Sequence, residues 1–151
     1  MNVSMSVPRR IRDLATFDPD YADCCTVTTG DGWDRSPEQS ARAVLEATPL
    51  GRRARVLWQG LGLRLGPTGS PDHVQGWRIA DRGDTWIRLD TDSWCLTAEA
   101  VFQLEGGRLS LALFLRFDRP IASHIWAPVS VIHRQAVPQL LHQAVTNTVD
   151  A

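Results

Sequence analysis

The sequence predicts an α+β domain in which an antiparallel β-sheet wraps around a long C-terminal helix. The expected order is β, α, α, four strands, α. Three observations predict it. Between residues 73 and 117, large apolar side chains alternate with charged ones in four runs parted by short Gly- or Asp-containing breaks, the signature of half-buried strands. Upstream, Ser36-Pro37 and Thr48-Pro49 each read as a helix start. Residues 120–145 read as one helix, the only element long enough to cover a sheet with one apolar face.

The elements follow in order. Residues 1–10 are expected to be disordered, and Asp18-Pro19-Asp20 is turn chemistry. Tyr21 to Thr29 carries Cys-Cys-Thr-Val-Thr-Thr, which suits a strand. Ser36 as N-cap, Pro37 at the first helical position and Gln39 three after the cap predict a helix to about Ala47. A second runs from Thr48-Pro49 to about Gln59, with Leu50, Ala54, Leu57 and Leu61 on one side. The glycines and prolines of residues 60–71 then make a loop. Strands are expected over about 73–80, 84–92, 94–104 and 108–117, separated by Arg82-Gly83, Asp92-Ser93 and Gly106-Gly107. Pro128 and Pro138 each remove a backbone donor from the final helix, which predicts a kink at one or both.

A hairpin centred on Gly106-Gly107 sets Leu104 opposite Leu109, Phe102 opposite Leu111, Ala100 opposite Leu113, Ala98 opposite Leu115 and Leu96 opposite Phe117. Carrying that register back through the tighter turns adds Leu89, Ile87, Thr85, Ala80, Arg78, Gly76 and Val74 to the same face. It is almost wholly apolar and is therefore the core side. The opposite face holds Trp77, Trp86, Arg88, Asp90, Thr97, Glu99, Phe114 and Arg116. A slip of one residue at Arg82-Gly83 exchanges Trp77 with Arg78.

At 151 residues the chain fits one domain, 1–151. A chain of this size buries about two-thirds of its unfolded surface, enough for a core without staples. A net charge of -1 gives no global attraction to nucleic acid or anionic membrane. Every one of the 16 basic residues is Arg, which fits a GC-rich coding bias better than a function. Three cysteines, Cys24, Cys25 and Cys95, make no disulfide framework, so free thiols and a cytoplasmic location are expected. No secretory signal is read near the N-terminus, and no apolar run reaches the ~20 residues of a membrane span.

The chain resembles the SRPBCC superfamily, the START-like helix-grip proteins. In particular it resembles a bacterial domain family of unknown function that is sometimes appended to atypical NAD-binding oxidoreductases. The matching residues are Asp20-Tyr21-Ala22-Asp23, the Pro37-to-Pro49 helix, Gly62-Leu63-Arg64-Leu65-Gly66, Gly76-Trp77-Arg78-Ile79, Ser93-Trp94, Arg116-Phe117-Asp118-Arg119-Pro120 and Ile132-His133-Arg134. They span about residues 11–145. The resemblance implies a sheet gripping the C-terminal helix, often with a cavity between them. In the wider superfamily that cavity takes lipids, sterols, hormones or polyketides, and some members cyclise or hydrolyse them.

On this frame a ligand site lies on the concave face, lined by Trp94, Phe102, Leu113, Phe117, Trp126 and His133, with Arg78 as polar anchor for an anionic group. Arg78 alternatively pairs with Asp81 or Asp84. His124, His133 and His142 are spaced by nine, so neighbours face opposite ways, and the outer two lie about 27 Å apart and share no metal. His133 falls near the apolar stripe of Ile125, Val129, Ile132, Ala136 and Leu140, as a structural histidine or as a pocket acid–base group. No nucleophile elbow accompanies Ser130 and His133, and the Gly-rich loop is no phosphate loop. No cofactor is indicated. Three functions remain: binding of a small apolar or amphipathic molecule, a cyclase- or hydrolase-type reaction in the same cavity, and an interaction module. The last would use the face of Trp77, Trp86, Arg88 and Arg116 to form a homodimer.

Overall fold

The computed structural model describes residues 3–30 and 32–149. Its elements in chain order are α1 (Arg9–Arg12), β1 (Tyr21–Thr28), α2 (Pro37–Leu45), α3 (Pro49–Gly60), β2 (His73–Val74), β3 (Trp77–Arg82), β4 (Trp86–Asp92), β5 (Leu96–Glu105), β6 (Arg108–Phe117) and α4 (Ile121–Val149). The six strands form one antiparallel sheet in the order β1-β6-β5-β4-β3-β2. The fold is α+β, a sheet with a long C-terminal helix, as the sequence predicts.

Both upstream helices start as their caps dictate. The Ser36 hydroxyl accepts the Gln39 N–H while the Gln39 side chain accepts the Ser36 N–H. Three residues beyond α2, the Thr48 hydroxyl accepts the Gly51 N–H and opens α3. Gly51 is fixed by contact: a Cβ there would lie 2.5 Å from the Leu45 carbonyl oxygen, where α2 ends against α3. The β5–β6 hairpin has the predicted register throughout, from Leu104 opposite Leu109 to Leu96 opposite Phe117. Gly106 and Gly107, at φ 60° and 74°, supply the left-handed pair that a two-residue turn of this hand requires.

The run expected as one strand over 73–80 is two. Gln75 and Gly76 both have positive φ and fold the chain back between β2 and β3. Gln75 is held there by burial. Its N–H donates to the Glu46 carboxylate and its side chain donates to the Leu45 carbonyl, closing the end of α2. A bulge between Ile79 and Asp81 then shifts the β3–β4 register. Ile79 pairs with Leu89 on the core face, and Arg78 pairs with Asp90 on the outer face. The faces of Trp77 and Arg78 are therefore exchanged relative to the uninterrupted register: Trp77 is core, Arg78 is surface.

Two helices cover the apolar face. Helix α2 lies over β4 and β5, and α4 over β1 and β6, where the sequence pointed to α4 alone. The α2 residues Ala41, Val44 and Leu45 share one core with Phe102, Leu109 and Leu115 of the sheet and Val137, Leu140 and Leu141 of α4. Helix α4 continues as one element through Pro128 and Pro138.

The outer face is covered in its middle by the N-terminal segment. Of residues 3–10, Val3 and Val7 are half-buried and the other six are exposed; residues 1 and 2 lie outside the described residues. Ser4 exchanges two backbone hydrogen bonds with Cys24. Ile11 of α1 is buried with Cys24, Val101, Ala112 and Phe114 in a second, smaller core. Beyond α1, the Thr16 N–H and hydroxyl both donate to Glu99, and Arg88 donates to the Leu14 carbonyl. These contacts anchor the segment, satisfy the Glu99 carboxylate and give the Arg88 guanidinium one backbone acceptor, where alternation alone leaves both side chains pointing outward.

Candidate functional site

An apolar chamber of about 110 Å³ lies between the concave sheet face, α3 and α4. Its floor is Leu96, Ala98, Ala100 and Phe102 of β5 with Leu111, Leu113 and Leu115 of β6. Those side chains share a face because they occupy every second position of two paired strands. Helix α3 contributes Ala54, Leu57 and Trp58, and its C-cap Leu61 follows, the stripe expected from its spacing with Trp58 added and Leu50 left out. Helix α4 contributes Trp126, Val129, Ile132, His133, Ala136, Val137 and Leu140. Leu57 and Ile132, 38% and 52% exposed, carry the wall out to solvent between the two helices. No Arg, Asp or Glu lines the chamber among the described residues.

Four of the seven residues expected at the site meet here: Phe102, Leu113, Trp126 and His133. Three do not. Arg78 is on the opposite face, donating from Nε and Nη2 to the two carboxylate oxygens of Asp90, because the hairpin and bulge invert its register. Trp94 sits in the β4–β5 turn, 55% exposed and beside Gly62, because β5 begins two residues later than its apolar pattern implies. Phe117 packs against the core opposite Leu96 but lies outside the chamber wall.

Beside His133 stand two polar residues that the sequence reading did not single out, Tyr21 and Asp23. Tyr21, Asp23 and Cys25 occupy alternate positions of β1, opposite Leu115, Leu113 and Leu111, and so face the core. Asp23 is fully buried, and its Oδ2 accepts the Tyr21 hydroxyl at 2.5 Å. The same oxygen lies 3.0 Å from His133 Nε2, at an angle outside hydrogen-bond geometry. The Trp126 ring meets Tyr21 edge-on at 5.1 Å and His133 at 5.5 Å. Burial pushes the Tyr21 phenol up, the Asp23 carboxylate adds to that, and Arg134 opposes it. The phenol thus stays a donor to Asp23 at any ordinary pH. Alternation within Tyr21-Ala22-Asp23 carried the signal, but only the pairing of β1 with β6 shows which alternate set turns inward.

Two further polar atoms stand out in the wall. The indole nitrogens of Trp77 and Trp126 are buried without a hydrogen-bond partner. Trp77 itself is 4% exposed, and its nearest ring, Trp58, meets it edge to face at 5.5 Å. Among the described residues, no three His, Cys, Asp or Glu side chains gather to hold a metal ion. No helix among them is long and apolar enough to cross a membrane.

The outer face holds a polar cleft of about 500 Å³ that includes Arg78. Its charges are internally matched: Arg64 with Asp92, Arg78 with Asp90, and Arg116 with Asp118 just outside it. The face expected for self-association is not an open patch. Trp77 belongs to the core, and Phe114 is buried under the N-terminal segment. Arg88 is spent on Leu14 and on the neighbouring Glu99, leaving Trp86 and Arg116 apart. Comparison with known protein families, curated proteins and solved structures gives no match.

Proposed function

We propose that this protein binds a small, mainly apolar molecule in the chamber between the sheet and the C-terminal helix, in the manner of a START-like helix-grip domain. The observation that carries the reading is the chamber itself, with its continuous aliphatic and aromatic wall. Interiors normally pack to crystal density, so a void of this size at the centre of a core is a departure that wants a reason. Its volume sets the scale of the ligand. Pockets for drug-sized molecules run to about 300–1,000 Å³, whereas an apolar cavity of about 150 Å³ holds benzene. The enclosed part of the ligand is thus a single ring or a short branched chain, and a longer apolar tail would leave past Leu57 and Ile132.

The test is thermal stability with benzene or toluene present, in the native chain and in Ala100→Leu, which fills the floor. A ligand that binds only the folded state raises the midpoint in proportion to its occupancy. The native chain should be stabilised and the filled variant should not. Equal shifts in both would place the ligand elsewhere and end this reading. A second reading, an acid–base enzyme of the cyclase or hydrolase kind, is favoured by one feature: the buried Asp23–His133 contact at the wall of the same chamber.

A further inference from the structure

We infer that the face formed by α3, α4 and the β4–β5 turn docks on a bilayer that carries anionic lipid, with the mouth of the chamber turned toward it. Two asymmetries of the molecule coincide there. The first is apolar. Seven large apolar side chains are exposed among the described residues, and six belong to this face. Val56 and Leu57 are on α3, Ile121, Val131 and Ile132 on α4, and Trp94 lies in the turn between β4 and β5. That turn sits between the helices: Trp94 lies beside Gly62, just past α3, and its carbonyl accepts the Arg119 side chain, just ahead of α4. The seventh, Met5, is on the N-terminal segment. Single exposed aliphatics are ordinary, but a gathering of them marks a surface that meets something other than water.

The second asymmetry is in charge. The whole chain carries -1, but α3 and α4, 12 and 29 residues long, contain no Asp or Glu, so all 17 acidic residues lie elsewhere. Arg52 and Arg53 stand one turn before Val56 and Leu57, which sets each exposed guanidinium beside an exposed aliphatic on α3. Neither guanidinium meets a carboxylate among the described residues. The acids that flank these elements in sequence are occupied. Glu46 holds Arg42 and the Gln75 N–H, Asp92 lies against Arg64, and Asp118 accepts from Arg116 and Thr97. Asp150, after α4, lies outside the described residues. Aliphatics with cations beside them and no acid suit a headgroup layer, where the aliphatics reach the acyl boundary and the arginines stay level with the phosphates. A second copy of the chain in a two-fold pair would set Arg52 and Arg53 against the same cationic patch. Leu57 and Ile132 also carry the chamber wall out to solvent, so an apolar molecule dissolved in the bilayer would reach the chamber without crossing water.

Flotation with vesicles tests this, using phosphatidylcholine alone and phosphatidylcholine mixed with phosphatidylglycerol, at low and at physiological ionic strength. The native chain should float with the anionic vesicles, less so as salt rises, and far less with phosphatidylcholine alone. Arg52→Gln with Arg53→Gln should weaken binding to the anionic vesicles by about 30-fold, the combined attraction of two cations near such a surface. Val56→Ser with Val131→Ser should weaken it while leaving the chamber alone, since neither valine lines it. All four positions are exposed, so urea midpoints should match that of the native chain. Ala100→Leu, filled inside and unaltered on this face, should float as the native chain does, which separates this assignment from the chamber reading. No flotation with the anionic vesicles overturns the assignment, as does equal flotation with both compositions, or flotation undiminished in both pairs of variants. A native chain that is dimeric by light scattering and becomes monomeric in Val56→Ser with Val131→Ser gives the face to a second copy and overturns it too.

Discussion

His133 Nε2 lies 3.0 Å from Asp23 Oδ2, joining the long C-terminal helix to the first strand at the edge of the chamber. The two residues are 110 positions apart, and neither is paired with anything nearby in sequence that would have revealed the contact. Asp23 is buried on the core face of β1, where a carboxylate is tolerated only with partners. Tyr21 donates a hydrogen bond to it, and His133 is in close contact with it.

Removing one of them should therefore be costly. His133→Leu leaves the carboxylate with Tyr21 alone and should destabilise the fold by about 1–3 kcal/mol. Asp23→Leu in the same background removes the orphaned group and should recover part of the loss. Urea unfolding of the two single variants and the double variant gives the coupling between the positions. Strict additivity would mean that the contact contributes nothing.

Arg78 and Leu113 should behave in opposite ways. Arg78 is a surface ion pair with a 65% exposed side chain, so Arg78→Met should cost no more than about 1 kcal/mol and leave binding in the chamber unchanged. Leu113→Ala enlarges an existing void in the floor and should cost about 2–5 kcal/mol. Denaturant midpoints in the reverse order would contradict the face assignment of the sheet.

The N-terminal segment is predicted to be part of the folded unit. Ile11→Ala should cost about 2–5 kcal/mol, because Ile11 fills the pocket formed by Cys24, Val101, Ala112 and Phe114. Hydrogen exchange gives an independent measure. The amides of Ser4 and Thr16, bonded to Cys24 and Glu99, should be protected against exchange in the native chain. Free exchange at both would detach the segment from the outer face.

The parts of the fold that the sequence displayed are those governed by local chemistry. The caps at Ser36 and Thr48 and the Gly106-Gly107 turn each rest on a few adjacent residues. Strict alternation then carried the β5–β6 register to the end of both strands, and with it Phe102 and Leu113. Prediction failed where period two was interrupted. Gln75 adopts a left-handed conformation that its own residue type does not advertise, and the bulge between Ile79 and Asp81 has no marker in sequence. Between them they moved Arg78 out of the site and Trp77 into it. The polar cluster was hidden for another reason: Asp23 meets His133 only because an edge strand and a distant helix pack together. Likewise the outer alternation of Glu99 and Arg88 looked like a solvated face, because the segment that covers it shows no strong periodicity of its own.

Alkaline pH should destabilise the fold through β1. The Cys24 thiol, sealed under the N-terminal segment, is pushed up to about 11, chiefly by burial, with the Thr26 hydroxyl opposing and Asp23 and Cys25 adding. Cys25 on the other face is raised too, again chiefly by burial, and so is the Tyr21 phenol. In each case the folded state holds its proton more tightly than the unfolded chain, where a thiol ionises near 8.5 and a phenol near 10. For a group raised on folding, the stabilisation is complete below the unfolded value and is lost as pH rises toward the folded one. Stability should therefore be level up to about pH 8.5 and fall between there and about pH 11, by at most about 1.4 kcal/mol per pH unit for each linked proton. Urea midpoints measured at pH 7.5, 9 and 10.5 should fall across that window. Cys24→Ala removes one of the linked protons, so its decline should be shallower than that of the native chain whatever its stability at neutral pH. A native midpoint that holds steady to pH 10.5, or a decline unaltered by Cys24→Ala, would show that the thiol is open to solvent and that the N-terminal segment does not seal β1.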